Sequence, residues 1–313
     1  MARMHLADSG RLASASRWIW PMNLLVWIIS GGNFVAFKLG VASMPPFAMI
    51  GARLLISGSA LMALSPLLDR GASRPREFIR WPQMLILTCG AILTFVLGQG
   101  VIVWGITHTS AGAAAVLSAS SPLFLGLFSW ALLHKPPQRL QWLGIAVGFA
   151  GCAFLISGKG SNQSIDPVGA VAVLVGAAGF AGGLLIQRDA RLPKSKFLNA
   201  GIQMLIAAVI LLLLSYVAGE YGRIHPQQIA LRSWLAFAYI TLPGSLVAFA
   251  LVVWLARTAS ALIANSFAYA APAIAILLSG PILAEPITLT LLGAAALALV
   301  GAALMGERGP RND

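Results

Sequence analysis

A few side chains in this sequence have the chemistry to bind a polar or charged solute, and they lie within or beside long apolar stretches. Arg53 lies about two helical turns into one such stretch, where a charge is costly unless it is paired or hydrated. Its candidate partners are the carboxylate of Glu285 and a carboxylate on a bound solute, while snorkelling towards a polar boundary is the alternative. Lys38 lies near the end of its own stretch, so Lys38 and Glu285 are candidates for a gating contact or an ion pair.

Neutral polar and aromatic side chains in the apolar stretches are the other candidates for contact with a solute. Asn265 and Tyr269 are four residues apart and would share one face of a helix. An asparagine in hydrocarbon must find a partner, so it faces either a cavity or a neighbouring helix. We predict a cavity lined by Asn33, Phe34, Arg53, Gln99, Trp104, Ser118, Trp254, Asn265 and Tyr269. The alternatives are close helix packing for Ser118 and anchoring at the membrane surface for the two tryptophans.

The same residue types argue against catalysis. An intramembrane protease or transferase needs an embedded nucleophile beside a base, or a cluster of metal ligands. The apolar stretches contain many serines but no embedded His or Asp near them, and Cys89 and Cys152 have no metal-type spacing. We therefore predict no catalytic residue, no metal and no cofactor, and keep an intramembrane enzyme as a remote alternative. An ion channel would need a charged ring or a filter segment, and the sequence has neither.

The composition is that of a membrane protein. Hydrophobic residues make up 58% of the 313 residues, charged residues only 10%, and the mean hydropathy is +0.85. A soluble domain carries about 25% charged residues because water must wet its surface. The first apolar stretch is too long for the core of a cleavable signal peptide, so it is expected to remain as a span. Ten stretches are apolar and long enough to cross a bilayer: residues 18–39, 47–68, 81–104, 109–133, 140–157, 167–187, 197–218, 232–254, 260–282 and 287–305.

The basic residues lie mostly on one side of these spans. With ten alternating spans, 16 of the 21 Lys and Arg residues fall on the side of the two termini and four on the other, with Arg53 embedded. The positive-inside rule then places both termini in the cytoplasm, in a multi-pass protein of the inner membrane. The net charge of +12 predicts no nucleic-acid partner, because its placement in short loops already explains it.

The second half of the sequence repeats the first at an offset of 150 residues, without a gap. Aligned pairs of scarce residue types include Trp104 with Trp254, Pro122 with Pro272 and Pro136 with Pro286. Because each repeat has an odd number of spans, the second must enter the membrane from the opposite face, an arrangement that recurs among secondary transporters. We predict an all-α membrane protein of ten transmembrane helices in two inverted five-helix repeats, with hinges or helix breaks at Pro122 and Pro272.

This repeat also divides the chain. The predicted parts are a tail of residues 1–17, a first five-helix repeat of residues 18–157, a linker of residues 158–166 on the outer side, a second repeat of residues 167–305 and a tail of residues 306–313. Both tails are expected in the cytoplasm, on the side that carries most of the basic residues.

Both repeats contain motifs of a known family. Leu25-Val26-Trp27, Gly32-Asn33-Phe34, the Pro45-Pro46 break and Arg53 are similar to the opening of EamA proteins, and residues 104–151 and 254–301 are similar to the closing three spans of each EamA repeat. The second stretch has the Glu-Pro of this family at Glu285-Pro286, whereas the first has His134-Lys135-Pro136, where an acidic residue is usual. The sequence therefore resembles a ten-span bacterial-type metabolite exporter of the EamA family, in the drug/metabolite transporter superfamily. The resemblance implies a cavity walled by spans 1–4 and 6–9, with spans 5 and 10 peripheral.

The resemblance also implies a function. We expect export of a small metabolite, an amino acid or a related compound, across the cytoplasmic membrane by alternating access. Import or exchange of another small organic solute and broad drug efflux are the alternatives. No Asp or Glu is embedded in a span, which favours transport along a substrate gradient or exchange over a carboxylate proton relay.

The expected partners are a small-molecule substrate and the lipid bilayer, with the chain as a monomer or a homodimer. Spans 5 and 10 contain a seam of small residues that could pack within the monomer or at a dimer contact. Its glycines are Gly144, Gly148, Gly151, Gly293 and Gly301.

Overall fold

The computed structural model describes residues 2–68, 79–134, 136–158, 166–188, 192–193, 195–264 and 266–305, without the side chains of residues 2–17, 261 and 262. Ten helical regions account for nearly all of these residues. They are α1 (Ala2–Val41), α2 (Pro46–Leu68), α3 (Trp81–His108), α4 (Ala111–Leu133), α5 (Arg139–Ile156), α6 (Pro167–Arg188), α7 (Lys196–Val217), α8 (Leu231–Thr258), α9 (Phe267–Leu283, after a single turn at Ala261–Ala264) and α10 (Leu289–Leu304).

The predicted all-α fold is confirmed. Eight of the described helices are long and apolar enough to cross a membrane, and α9 and α10 are shorter apolar helices. Successive helices alternate in direction, so the N-terminal end of α1 and the C-terminal end of α10 lie on the same side of the bundle. We call that side the terminal face, and the side where α4 begins the distal face.

Several helices extend further than the sequence predicted. Residues 105–108 and 255–258 were predicted as loops, but α3 continues to His108 and α8 to Thr258. The hairpins need only two residues, because Ser110 and Ser260 start the next helices at once. Each serine Oγ accepts a hydrogen bond from the backbone N–H three residues later, at 3.1 Å in α4 and 3.4 Å in the turn before α9. The helix of α1 likewise begins at Ala2, within the predicted tail.

The two helices predicted to break at prolines behave differently. The α4 helix turns at residues 119 and 120, and its second segment starts at Ser121, so Pro122 stands in the first turn after the break. In contrast, α9 is continuous through Pro272, and its break lies between Ala264 and Phe267. Pro272 therefore does not break the helix, because loss of one N–H is tolerated inside a packed membrane helix, and a hinge at Pro272 stays a prediction.

The two repeats share local irregularities as well as topology. Widened π-helical segments begin at Ile92 in α3 and at Leu242 in α8, which are 150 residues apart. The residues that end α4 and α9, His134 and Ala284, both have the left-handed conformation at φ 54°. Equal irregularities at equal offsets indicate two copies of one five-helix structure.

Helices of the two repeats pack against each other throughout the bundle. The main pairs are α2 with α7, α5 with α10, α3 with α6, and α1 with α8 and α9. The packing is close enough in places to require glycine. A Cβ built on Gly51 in α2 would lie 2.8 Å from the Leu212 side chain, and one on Gly201 would lie 3.2 Å from Met62 Cβ, the equivalent contact of the other repeat. The pairs are thus related by an approximate two-fold axis.

The small residues of α5 and α10 pack within the monomer. A Cβ built on Gly301 would lie 2.6 Å from the carbonyl oxygen of Gly144, and one built on Gly151 would lie 3.1 Å from the carbonyl oxygen of Ala294. The two backbones therefore touch directly, as in other small-residue helix contacts in membranes.

Substitution at this contact tests the packing. Gly301→Ala should lower the free energy of unfolding by about 1–3 kcal/mol, because its methyl group overlaps the backbone of α5. The matched control is Gly293→Ala on the same helix, where the nearest atom, in the Phe154 ring, is 3.5 Å away. Thermal unfolding midpoints in detergent measure both, and an equal effect of the two substitutions would contradict the close contact.

Candidate functional site

Arg53 is the centre of the polar interior. It lies on α2 with only 3% of its surface exposed. Its Nε donates to the carbonyl oxygen of Ile240 at 3.0 Å and to Ser245 Oγ at 2.9 Å, and its Nη1 donates to Gln99 Oε1 at 3.1 Å. Gln99 belongs to the π-helical segment of α3 and Ser245 to that of α8. One side chain therefore joins the irregular segments of both repeats.

Arg53 does not pair with Glu285, which was one of its two candidate partners. The Glu285 carboxylate instead accepts hydrogen bonds from the first turn of α4, and Arg53 is held by neutral acceptors. The Phe37 ring on α1 lies beneath the guanidinium, with Cζ 5.2 Å from the ring centroid, so a cation–π contact adds to these hydrogen bonds. The sequence thus did not indicate two partners of Arg53, the backbone carbonyl of Ile240 and the face of the Phe37 ring.

Asn33 approaches the same segment of α8 from α1. Its Nδ2 is 3.5 Å from the carbonyl oxygen of Gly244, and its Oδ1 is buried without a hydrogen-bond partner. The Tyr239 hydroxyl donates to the carbonyl oxygen of Ile29 at 3.3 Å. Gly32 and Gly244 permit this approach, because a Cβ at either position would overlap Tyr239 or Asn33.

The structure brings together three of the predicted cavity residues, Asn33, Arg53 and Gln99, around the π-helical segments. The half-buried Phe34 packs against the main hydrophobic core beside them. Asn265 lies outside the described residues.

Four other predicted residues lie elsewhere. Trp104 stacks at 4.8 Å on His108 near the distal end of α3, and Trp254 packs in a small cluster with Val26 on α1. Ser118 has a buried hydroxyl without a partner beside the break in α4, and Tyr269 is half-buried on α9. Their role in a cavity remains a prediction.

The distal segment of α4 is more tightly packed than the terminal segment of α4 and the terminal end of α9. Every residue from Ala111 to Leu117, in the distal segment of α4, is buried. In contrast, residues 124–129 in the terminal segment of α4 and residues 266–270 at the terminal end of α9 are half-buried on all sides of the helix. The space between α4 and α9 is therefore closed at the distal face and more open towards the terminal face.

Lys38 and Glu285 hold the α3–α4 hairpin at the distal face. Lys38 Nζ donates to the carbonyl oxygens of Ile106 in the last turn of α3, at 2.8 Å, and of Thr109 directly after it, at 2.7 Å. The Glu285 carboxylate accepts from Ala111 N at 2.9 Å and Gly112 N at 3.3 Å. A cation at a helix C-terminus and an anion at a helix N-terminus both complement the helix dipole. The two charged side chains therefore bind opposite ends of the same hairpin, Lys38 at the end of α3 and Glu285 at the start of α4.

A second glutamate at the distal face was not recognised in the sequence. Glu220 is 5% exposed and accepts hydrogen bonds from Phe47 N at 3.3 Å and Ala48 N at 2.9 Å, in the first turn of α2. Its position in the loop before α8 gave no sign of this distant partner.

The break in α9 is also held by residues that the sequence analysis missed. Asn23 Nδ2 and Trp27 Nε1 on α1 both donate to Ser266 Oγ at 2.9 Å, and Asn23 is fully buried. The Ser266 hydroxyl in turn donates to the carbonyl oxygen of Ile263 at 2.7 Å. The four-residue spacing of Asn23 and Trp27, which puts both on one helix face, was the available signal.

Removal of the Glu285 carboxylate should loosen the distal face. Glu285→Ala leaves two N–H groups of α4 without their acceptors, a loss that costs about 0.5–2 kcal/mol at a helix N-terminus. A cysteine at Ala114, fully buried in the same segment, should then react about 2- to 30-fold faster with a maleimide. Both the reference protein and the Glu285→Ala variant are made with Cys89→Ala and Cys152→Ala, so that the cysteine at position 114 is the one that reacts.

The matched control is Thr288→Ala, which removes the cap of α10 in the same loop, where Thr288 Oγ1 accepts from Leu291 N at 3.1 Å. This variant should leave the labelling rate unchanged. Equal acceleration by both substitutions would show that Glu285 has no specific role in closure.

Comparisons with known proteins agree with the fold and its repeat. The model of the EamA-like transporter family matches residues 18–157 and again residues 167–306. "Uncharacterized inner membrane transporter YedA" of Escherichia coli (strain K12) is 36% identical over 256 residues, which cover 81% of this chain and 79% of the relative. "Uncharacterized transporter YvbV" of Bacillus subtilis (strain 168) is 27% identical over 283 residues, covering 90% and 89%.

A solved crystal structure has the same fold, with a TM-score of 0.61 at 19% identity over 92% of this chain and 96% of that one. The resemblance found in the sequence motifs is thereby confirmed. Since the family model matches both five-helix repeats and so covers nearly the whole chain, this multi-pass membrane protein belongs to the EamA-like transporter family.

Proposed function

We propose that the chain is a secondary transporter that exports a small metabolite, an amino acid or a related compound, across the cytoplasmic membrane by alternating access. The observation that carries the proposal is the difference between the two faces of the bundle. The distal segment of α4 is fully buried, whereas the terminal segment of α4 and the facing end of α9 are half-buried. A transporter that alternates between two openings has one face closed and the other open in each state.

The repeat supports the same mechanism. Two copies of one structure, inserted in opposite directions, can exchange conformations, so the closed arrangement of one face becomes that of the other. The π-helical segments and the broken helices α4 and α9 are positions where a helix can bend without the loss of many hydrogen bonds. Arg53 joins these segments across the two repeats.

The proposed orientation is compatible with export. The excess of Lys and Arg in the loops at the terminal face supports a cytoplasmic position for that face and for both termini. The more open side of the bundle then faces the cytoplasm, where an exported metabolite would enter.

A disulfide that reversibly joins α4 to α9, called the Gly112–Ser279 lock, tests alternating access. A Cβ built on Gly112 in α4 lies 3.5 Å from Ser279 Oγ in α9, close enough for a disulfide in Gly112→Cys/Ser279→Cys, made in the Cys89→Ala/Cys152→Ala background. In proteoliposomes loaded with amino acids and related metabolites, oxidation should stop protein-dependent release and a reductant should restore it. Mass spectrometry of the released compounds measures the flux and identifies the solute.

The single variants Gly112→Cys and Ser279→Cys are the controls and should release solute under both conditions. Continued release from the oxidised double variant would contradict alternating access. The absence of release for every compound would contradict the proposed class of solute.

A further inference from the structure

We propose that the solute carries a carboxylate or another anionic group, and that this group binds Arg53. The inference rests on the proposed transport function and names the chemical class of the cargo. It follows from the charge balance of the membrane interior, from the hydrogen bonds of the guanidinium and from the residues at the equivalent position of the second repeat.

The sequence provides Arg53 with no carboxylate. All nine Asp and Glu residues lie in tails, loops or at helix ends, whereas Arg53 lies in the interior of α2. Among the described residues, the one ion pair joins His108 and Asp166 at the distal face, 3.1 Å apart. A buried charge in a membrane protein is costly unless an opposite charge or strong dipoles compensate it. An anion brought by the solute would supply the missing opposite charge.

The hydrogen bonds of Arg53 leave part of the guanidinium available. Nε and Nη1 donate to Ile240 O, Ser245 Oγ and Gln99 Oε1, and none of the described residues accepts a hydrogen bond from Nη2. These acceptors are all neutral, so they fix the orientation of the group and leave it without an opposite charge. A planar guanidinium with a free edge is suited to a carboxylate or a phosphate.

The second repeat shows that the fold does not require a charge at this position. The residue 150 positions after Arg53 is Gln203, which is 4% exposed on α7. Gln203 Nε2 donates to Gln187 Oε1 at 2.8 Å, and Gln187 is the equivalent of Phe37, the residue beneath Arg53. The same helix contact is therefore made once by two neutral amides and once by a cation and an aromatic ring. The charge is specific to one repeat, as expected for a binding group and not for a packing group.

Arg53→Gln is the natural substitution for a test, because the second repeat already uses glutamine in this setting. The control is Ser57→Ala, one turn further along α2. Ser57 is fully buried and donates to the carbonyl oxygen of Thr241 at 3.2 Å, so the control removes a hydrogen bond between α2 and α8 without a change of charge. Arg53→Lys keeps the charge and removes the planar group.

The experiment measures the thermal unfolding midpoint of the full chain in detergent with matched pairs of ligands. The pairs are N-acetyl amino acids and their amides, acetate and acetamide, and succinate and succinamide, with sodium chloride and sodium phosphate as inorganic anions. A ligand that binds the folded protein raises the midpoint. At least one acid should stabilise the wild type while its amide does not, and Ser57→Ala should keep this preference.

Arg53→Gln should lower the apparent affinity for the acid by roughly 30-fold or more, as expected when one partner of a buried charge pair is removed. The apparent affinity of Arg53→Lys for the acid should lie between those of the wild type and Arg53→Gln. If phosphate or chloride alone gives the Arg53-dependent stabilisation, the anion is inorganic in origin and the role assigned to Arg53 stands.

Three results would overturn the inference: equal stabilisation by acids and amides, an unchanged preference for acids in Arg53→Gln, or no stabilisation of the wild type by any of these anions. The outcome is separate from that of the transport experiment. A neutral metabolite released from proteoliposomes and stopped by the Gly112–Ser279 lock would support the transport function and exclude an anionic cargo.

Discussion

Backbone N–H and C=O groups inside a membrane must find partners within the protein, because no water is present to replace them. This constraint accounts for most polar side chains in the interior. Each helix irregularity frees backbone groups, and a side chain from a distant helix binds them. Arg53 binds a carbonyl at the π-helical segment of α8, Lys38 binds a carbonyl in the last turn of α3, and Glu285 binds the first N–H groups of α4. The contacts of Arg53 and Glu285 cross from one repeat to the other, whereas that of Lys38 lies within the first repeat.

The constraint is met differently at the two faces. At the distal face, Glu220 and Glu285 accept hydrogen bonds from the first turns of α2 and α4. The sequence has Arg70 and Lys135 at the positions 150 residues earlier, both outside the described residues. In the proposed orientation, basic loops at the terminal face would satisfy the positive-inside rule, but a basic side chain cannot accept a hydrogen bond from a helix N-terminus. The preference for basic residues in the loops at the terminal face therefore works against closing that face with the glutamate caps that hold the distal face.

The sequence was sufficient for the helices and their repeat, because hydropathy, Trp and Pro spacing and charge placement are recorded residue by residue. It also identified Arg53 as an embedded charge. Its partners could not be predicted, because one of them is the backbone carbonyl of Ile240. Every residue has such a carbonyl, so this partner has no sequence signature. The π-helical segments were missed for the same reason, since the apolar pattern continues through them. Glu220 and Ser266 act on helices that are distant in sequence, and only the packing of the bundle brings them together.

The glutamate caps also impose an order on biosynthesis. A membrane protein is made from its N-terminus, so α2 and α4 enter the bilayer before residues 220 and 285 have been synthesised. Until then, the first N–H groups of both helices lie without their final acceptors and must be satisfied by water or lipid head groups at the membrane surface. The first half therefore cannot make these two contacts until residues 220 and 285 have been synthesised, and the cap of α4 waits for the last hairpin of the chain.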